Sequence, residues 1–264
     1  MTEGVYRRDP LTPEEREEFE DDLISFSDRE LDHLGDIRGL DVLYAGGSSL
    51  LWIEGLCERT GEYGTVTALE ADAGRVEGAR TSLEAAGLSD SARLVVGDVF
   101  EPPFGADSFD LVYSAGLLHE LDVSARSAEE ALRALASVVR PGGRVATGDF
   151  VDTVVAVQFE DEALDAELAR VSLGERRFGI GPPERLVGMH EKVLSDVRWT
   201  VTGPMEIRHL DEIVLAEEEL VSFAGLPDGV AGRLKSRRRA LLERIQLEGY
   251  TRPATVYVEG IVHG

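Results

Sequence analysis

Cysteine, lysine and long apolar runs are scarce in this sequence. Cys57 is the single cysteine among 264 residues, which excludes an intrachain disulfide and a metal site of several thiolates from one chain. We expect Cys57 to be a small apolar residue in the helix after the first strand rather than a nucleophile. No apolar run approaches the ~20 residues that cross a bilayer, and the N-terminus lacks an apolar signal region. These absences predict a cytoplasmic protein.

Positive charge is also scarce. The chain has 51 acidic residues against 27 basic ones, a net charge of −24, and its only lysines are Lys192 and Lys235. Such a surface repels nucleic-acid backbones and anionic lipid, so we expect neither nucleic acid nor a membrane as a partner. Extreme acidity with almost no lysine resembles proteins from salt-loving organisms, in which salt screens the self-repulsion.

Apolar residues make up 43% of the chain, enough for the core of one large domain. From residue 40 onward, short apolar strands alternate with helical patterns. This alternation predicts an α/β fold with a doubly wound, mostly parallel sheet of seven strands. The predicted strands cover residues 40–45, 65–69, 92–96, 109–115, 144–149, 197–202 and 254–262.

Two capping patterns occur before the first strand. Thr12 is followed by Pro13 and Glu15, which predicts the start of a helix with a capping box. Ser27 and Glu30 repeat the pattern and predict a second, short helix. These helices either pack against the sheet or form a flap over a ligand.

Polar residues follow the predicted strands at the edge where ligands bind in doubly wound sheets. Small residues let a nucleotide-like ligand approach the backbone, and the next helix offers unpaired N–H groups. Glu70 could accept hydrogen bonds from both hydroxyls of a ribose, or be an exposed strand-end acid. Asp98 could accept from an exocyclic amine, or form an Asx turn. The residues after strands one to four are Gly46, Gly47 and Ser48, then Glu70, Asp98 and Ser114.

The ordered set resembles the class I S-adenosylmethionine-dependent methyltransferases over about residues 40–150. Residues 42–49 lie where that family has its glycine-rich first motif, and 66–72, 96–99, 109–121 and 132–144 resemble its later motifs. The first motif is atypical. Tyr44 stands where the family usually has an acid, and Ser48 and Leu50 stand where it usually has glycines.

The resemblance implies a Rossmann-like fold, S-adenosyl-L-methionine as cofactor, and a role for each matching position. Gly46, Gly47 and Ser48 would line the methionine and ribose, and Glu70, with Ala71 beside it, would hold the ribose. Asp98 and the Val99 backbone would hold adenine, and the Ser114 backbone would lie near the methionine amine or sulfonium. His119, followed by Glu120, is the candidate base, with a plain helix-start pair as the alternative. Candidate substrate contacts are Tyr6, Tyr44, Tyr113 and His119.

The expected function is methyl transfer to a small-molecule acceptor by in-line displacement, with no metal site. The alternatives are a non-catalytic or regulatory protein with a decayed cofactor site, or an S-adenosylmethionine enzyme with other chemistry. Residues 1–36 would be an arm and flap, 37–150 the cofactor-binding half, and 151–264 the substrate-side half. Within that half, a helical insertion at about 205–250 could mediate homodimerisation. Its triplet of arginines, 237–239, is expected to be a solvated helix face with acidic partners.

We predict that the acidic surface makes stability depend on salt. Raising KCl to molar concentration should raise the unfolding temperature, because the Debye length falls from about 30 Å at 0.01 M to about 3 Å at 1 M. Circular dichroism melts at both concentrations measure the effect, with sucrose as the non-ionic control. A protein that is fully folded and most stable without added salt would contradict the salt-loving hypothesis.

Overall fold

The computed structural model describes residues 11–90, 92–121, 127–150, 156–173, 182–216, 223, 225–251 and 254–263. Within them the strands are β1 (Asp41–Ala45), β2 (Thr65–Glu70), β3 (Ala92–Val96), β4 (Phe109–Ala115), β5 (Val139–Phe150), β6 (Ser195–Thr202) and β7 (Thr255–Ile261). They form one seven-stranded sheet in the order β3-β2-β1-β4-β5-β7-β6. The pairings within β1–β5 are parallel, and β7 runs antiparallel to both of its neighbours. The predicted fold class is confirmed.

The described helices cover both faces of the sheet. They are α1 (Pro13–Leu31), α2 (Leu50–Thr60), α3 (Ala73–Ala85), α4 (Ala128–Ala136), α5 (Ala156–Leu173), α6 (Pro183–Glu191), α7 (Leu210–Ala216) and α8 (Asp228–Glu248). Side chains of α1, α2 and α3 share one core cluster, whereas those of α4 and α6 share another. In the part of the chain that the structure describes, no helix is long and apolar enough to span a membrane.

The central strand β1 supplies both cores. Val42 and Tyr44 belong to the cluster under α1–α3, and Leu43 and Ala45 belong to the cluster under α4 and α6. Successive side chains of a strand point to opposite faces, and helices cover both faces of this sheet. The strand must therefore be apolar almost throughout, which is why its sequence reads as a continuous apolar run.

A third cluster joins α5, α7 and α8, which accounts for the predicted helical insertion as far as its residues are described. The predicted acidic partners of the arginine triplet are present. Arg238 is buried and pairs with Asp161 of α5 at 2.9 Å, and Arg237 pairs with Glu167 of the same helix. Two of the three arginines thus tie α8 to α5, and the middle one is buried rather than solvated. Arg239 is exposed and pairs with Glu243 of α8 itself.

The predicted second N-terminal helix is wrong. The capping box at Thr12 is present, with the Glu15 amide donating to Thr12 Oγ1 at 3.2 Å. At Ser27, however, α1 continues without a break to Leu31, and the Ser27 hydroxyl donates back to the Ile24 carbonyl at 2.9 Å. A serine inside a helix can satisfy its hydroxyl in this way, so the pattern did not mark a new start.

The start of the fifth strand also differs from the prediction. The helix α4 ends at Ala136, and β5 already begins at Val139, five residues before the predicted start of the strand at residue 144. Its pairing with β4 shifts register between Phe109 and Leu111, as a bulge does. Proline and glycine are tolerated in a strand at such an irregularity.

We predict that Gly143→Ala destabilises the protein by about 1–3 kcal/mol, as overpacking does. A Cβ at Gly143 would lie 2.7 Å from the Asp110 carbonyl oxygen and 2.9 Å from that of Arg140. Backbone cannot yield as a flexible side chain can, so the strands themselves must shift. Urea unfolding measures the change.

Gly78→Ala is the matched control, because nothing lies within 4 Å of a Cβ at this position in α3. Replacing a glycine inside a helix by alanine should stabilise by about 0.5–1 kcal/mol. Equal midpoints for Gly143→Ala and the wild type would show that β5 accommodates the methyl group.

Candidate active site

Four strand ends meet at the carboxyl edge of the sheet. The order β2-β1-β4-β5 places the residues that follow these strands side by side. The chain order reverses at β1, which has β2 on one side and β4 on the other. A crevice forms at such a switch point in doubly wound sheets, and ligands bind there.

The turn after β1 is built from glycines that have no room for a side chain. The amides of Gly46 and Gly47 both donate to the Leu69 carbonyl, at 2.8 and 3.1 Å. Gly46 has a φ of 78°, and a Cβ there would lie 2.4 Å from Leu117 Cδ1. A Cβ on Gly47 would lie 2.4 Å from the Tyr44 hydroxyl. The atypical Tyr44 therefore packs against its own turn and requires the second glycine.

The start of α2 follows this turn directly. Ser48 is half-buried, and Ser49 occupies the N-cap position without a hydrogen bond from its side chain to the helix. The first turn contains no acidic residue. The first amides of a helix favour anionic groups, so this end of α2 can receive the carboxylate of a ligand.

Glu70 is a buried carboxylate at the end of β2, 7% exposed. Its Oε1 accepts the Asp72 amide at 2.9 Å, which fixes the side chain, and the exposed Ala71 lies between the two. Asp72 in turn caps α3 by accepting from the Gly74 and Arg75 amides. A carboxylate has further acceptor positions, so a fixed Glu70 can accept from two hydroxyls of a ribose.

Asp98 follows β3 and is exposed, whereas its neighbour Val99 is buried. The Asp98 side chain accepts the Phe100 amide at 2.9 Å. This is the Asx turn that the sequence left open as the alternative to a ligand contact. The turn fixes the carboxylate at the crevice edge, and its contact with adenine stays a prediction.

Ser114 is buried in β4, and its side chain points into the protein. Its hydroxyl donates to Thr147 Oγ1 at 3.3 Å, and Thr147 lies 3.1 Å from His190 Nε2. His190 Nδ1 is 2.8 Å from the Leu186 carbonyl, so that nitrogen carries the proton. Burial lowers the pKa of His190 to about 4, and the ring stays neutral. Because these hydrogen bonds occupy the side chain of Ser114, only its backbone is available for the predicted ligand contact.

His119 forms a buried pair with Asp149, the acid at the end of β5. Nδ1 of His119 lies 2.7 Å from Asp149 Oδ1, and the two side chains are 5% and 0% exposed. Asp149 also accepts the amides of Leu118 at 2.8 Å, His119 at 3.2 Å and Phe150 at 2.8 Å. A carboxylate oxygen accepts, so Nδ1 carries the proton and Nε2 of the neutral ring is the basic nitrogen.

The His119 ring is held on its other sides by Phe150 and Gly116. The ring centroids of His119 and Phe150 are 4.9 Å apart, and a Cβ on Gly116 would lie 3.6 Å from His119 Cε1. Glu120, which the sequence offered as the partner of His119, is more distant, with its Oε1 3.9 Å from Nε2. The shorter contact of the ring is therefore with Asp149, which fixes Nδ1.

The tyrosines proposed as substrate contacts lie deeper than expected. Tyr44 is 3% exposed and Tyr113 is fully buried, and their rings stack at 6.2 Å between neighbouring strands. Trp52 of α2 packs on Tyr113 at 5.9 Å. Burial raises the pKa of Tyr44, and the nearby Glu70 raises it further. Tyr6 lies outside the described residues.

A large groove lies at the opposite edge of the sheet, between α2 and the start of β3. Its volume is about 1150 Å³, and its lining includes Cys57, Glu54, Glu58 and Arg93. Burial and the adjacent Glu54 and Glu58 raise the pKa of Cys57 to about 11, which keeps the thiol protonated. A protonated thiol is a poor nucleophile, and the groove is remote from the crevice at β1.

Sequence reasoning missed Asp149 as a site residue. A signal was available, the one that singled out Glu70 and Asp98: Asp149 is an acidic residue at the carboxyl end of an apolar strand. It also missed Glu30, a buried carboxylate of α1 that accepts the Thr255 hydroxyl of β7 at 3.0 Å. The position of Glu30 was assigned to a capping box, and nothing local connects it with a strand 225 residues away.

The order of the strands and the polar residues at their carboxyl ends define a doubly wound α/β fold with a candidate ligand site at its switch point. Residues 42–143 match a family model described as a methyltransferase domain. The chain is 31% identical over 113 residues to methyltransferase GfsG of Streptomyces halstedii. That match covers 42% of this chain and 37% of the relative, so the chain spans little more than a third of the relative's length.

Solved structures share the fold over most of the chain. A cyclopropane-fatty-acyl-phospholipid synthase-like protein from Lactobacillus casei superposes with a TM-score of 0.69 at 16% identity, over 95% of this chain and 94% of its own. A geranyl diphosphate C-methyltransferase from Streptomyces coelicolor, solved with S-adenosyl-L-homocysteine, gives 0.53 at 14% identity, over 90% and 75%. At these identities the likeness shows the fold alone.

Residues 42–143 are thus similar to a methyltransferase domain, and the chain shares its fold with a solved methyltransferase. S-adenosyl-L-methionine is the cofactor that this similarity predicts. The residues at the crevice have the chemistry that this group requires. Glu70 offers acceptors for a ribose, the start of α2 offers amides for a carboxylate, and Asp98 offers an acceptor for an exocyclic amine. The roles of the individual residues remain predictions.

We predict that Glu70→Ala weakens binding of S-adenosylmethionine by about tenfold to a hundredfold. Hydrogen bonds to a charged group contribute roughly 1.5–3 kcal/mol, and every 1.4 kcal/mol is about a tenfold change in affinity. Isothermal titration calorimetry measures the change, with the exposed Glu62→Ala as the control of equal charge. Unchanged affinity in Glu70→Ala would remove this residue from the cofactor site.

Proposed function

We propose that the protein transfers the methyl group of S-adenosylmethionine to a small-molecule acceptor by in-line displacement. The bound cofactor supplies a methyl group already activated by its sulfonium. The protein then has to align the acceptor atom with the methyl group and the sulfur, and to take up the proton that a neutral acceptor releases.

The buried contact between His119 and Asp149 is the observation that carries the proposal. The 2.7 Å contact fixes Nδ1 as the protonated nitrogen and leaves Nε2 as the basic one. An acceptor hydroxyl, amine or acidic carbon gives its proton to Nε2 as its bond to the methyl carbon forms. Asp149 is a positioning residue, since it holds the ring and stabilises the resulting imidazolium without touching the acceptor.

The location of His119 suits this role. Its ring packs against Gly116, directly after β4, and against Phe150, at the end of β5. These two strand ends adjoin the crevice at β1, where the cofactor contacts are predicted. A base at this place can reach an acceptor bound beside the methyl group.

The charge of the protein supports a small acceptor that is neutral or cationic. A net charge of −24 disfavours polyanions such as nucleic acid. The curated relative and one structural neighbour carry the names of methyltransferases, and the neighbour acts on geranyl diphosphate. A diphosphate is itself strongly anionic, so we infer a different acceptor for this chain.

One observation favours a second function, that of a non-catalytic protein with a decayed cofactor site. Tyr44, in the place of the family's usual acid, packs its hydroxyl against Gly47 and removes a carboxylate from beneath the turn. Against this, Glu70 and Asp98 retain fixed carboxylates at the crevice. Calorimetry that detects no cofactor binding to the wild type would favour the non-catalytic function.

We predict that His119→Asn lowers the rate of methyl transfer by about 10²–10⁴-fold, the usual contribution of a general base. Binding of S-adenosylhomocysteine should be unchanged, because the ring acts on the acceptor. Asp149→Asn should lower the rate as well, because it disturbs the tautomer of His119. The measurement is release of S-adenosylhomocysteine with a panel of phenols, amines and acidic carbon compounds.

The exposed His263→Asn is the matched control and should retain the full rate. If His119 acts as a base, the loss of rate in His119→Asn should depend on whether the acceptor still carries its proton. Acceptors that are already deprotonated at the assay pH should be methylated by His119→Asn almost as fast as by the wild type. An equal loss for ionised and neutral acceptors would assign His119 a structural role instead.

A further inference from the structure

A small cavity lies beside the candidate active site, beneath α1 and α2. Its volume is about 40 Å³, and β4, β5 and β7 also border it. Gly116 and Phe150, which hold the His119 ring, are part of its wall. The rest of the wall combines aromatic rings with two buried polar groups, and its main members are Phe26, Trp52, Tyr113, Phe150, Glu30 and Thr255.

The first polar group is the hydroxyl of Tyr113. The residue is fully buried, and its hydroxyl has no hydrogen-bond partner in the described part of the chain. Burial raises the pKa of Tyr113 well above its ordinary value, and Glu30 adds to the effect, so the phenol stays protonated. A buried hydroxyl without a hydrogen-bond partner costs free energy, which points to a ligand that forms a hydrogen bond with it.

The second polar group is the carboxylate of Glu30, which is 2% exposed. The Thr255 hydroxyl lies 3.0 Å from both of its oxygens, and Arg29 approaches Oε1 at 3.5 Å from outside the cavity wall. A Cβ on Gly148 would lie 3.4 Å from Glu30 Oε2 and 3.5 Å from the Tyr113 hydroxyl. The two polar groups thus face one point, where a glycine leaves space.

These surroundings select a positively charged donor. The carboxylate excludes an anion, and both oxygens can accept from an N–H group. Trp52, Tyr113 and two phenylalanines line the cavity, and the face of an aromatic ring attracts a cation through the ring quadrupole. The volume exceeds the roughly 10–15 Å³ that one water needs, and it is too small for a whole substrate. The space suits the head group of a larger molecule.

We propose that this cavity binds an ammonium group, with Glu30 as its counter-ion and the Tyr113 hydroxyl as its second partner. The inference deepens the proposed function and rests on it for the identity of the ligand. Two molecules of that reaction can carry an ammonium group: the amino-acid part of the cofactor and an amine acceptor. The experiment distinguishes them.

Trp52 provides a direct readout of the cavity. It is one of two tryptophans, and the other, Trp199, is 47% exposed on β6. The Trp199→Phe protein is the parent for this experiment, and its Trp52 fluorescence is measured while each of three probes is titrated in. S-adenosylhomocysteine carries the amino-acid ammonium, 5′-methylthioadenosine lacks it, and methylammonium chloride is the ammonium alone. Potassium chloride at equal ionic strength is the control for methylammonium.

Each probe is titrated into the parent and into Glu30→Gln, with the exposed Glu17→Gln of the same helix as the matched control. The proposal expects Glu30→Gln to lose about tenfold or more in affinity for an ammonium probe, as for a lost charge-assisted hydrogen bond, and nothing for methylthioadenosine. A loss for S-adenosylhomocysteine assigns the cavity to the cofactor. A loss for methylammonium alone assigns it to the acceptor.

Equal affinities of the parent and Glu30→Gln for both ammonium probes would overturn the proposal, as would a parent that binds neither. Failure of the proposed function has a different signature. A parent that binds neither nucleoside probe refutes the cofactor-dependent function, while the methylammonium titration still decides the cavity.

Tyr113→Phe guards against misfolding of Glu30→Gln. The hydroxyl has no described partner to lose, so this variant should be at least as stable as the parent in urea. Tyr113→Phe should nevertheless bind one ammonium probe several-fold more weakly than the parent does. That probe is the one for which Glu30→Gln loses affinity. Full affinity in a stable Tyr113→Phe would remove the hydroxyl from the site and contradict the pairing proposed here.

Discussion

The parallel pairing of β1 with both β2 and β4 is the constraint on which the structure depends. Because the chain order reverses at this strand, the ends of β2, β1, β4 and β5 come together at one edge. Helices bury both faces of β1, so its side chains must be apolar and polar groups are displaced to its carboxyl end. Glu70, Asp98 and Asp149 each stand at or just past the carboxyl end of a strand for the same reason.

The two faces of β5 give the site two distinct chemistries. Successive residues of a strand point to opposite faces, so Asp149 and Gly148 serve different sides. On one side Asp149 orients His119, and on the other Gly148 leaves the space that Glu30 and Tyr113 face. Phe150, at the end of the strand, contacts the His119 ring and borders the cavity. In the functions proposed above, proton uptake and recognition of a charged group would lie on opposite faces of this strand.

Much of the fold could be predicted from the sequence because it depends on local patterns. The five parallel strands, the glycine turn and the capping box at Thr12 each show in residue types that are consecutive or nearly so in the chain. The errors arose where a local pattern had two solutions. Ser27 could begin a helix or bond back within one, and packing of α1 along the sheet chose the second. The residues before Arg144 could form a loop after a helix or an irregular start of a strand, and in the structure they pair with β4 as part of β5.

The sequence by itself determined which residues stand at the carboxyl ends of the strands, since apolar runs and the polar residues that end them are consecutive in the chain. Only the tertiary structure decided their partners. His119 faces Asp149 rather than Glu120, and Glu30 meets Thr255 across 225 residues, because the order of strands and not the order of residues sets these distances. The tertiary structure also turned Tyr44 and Tyr113 into the core, since alternation along β1 and β4 directs them at α1 and α2.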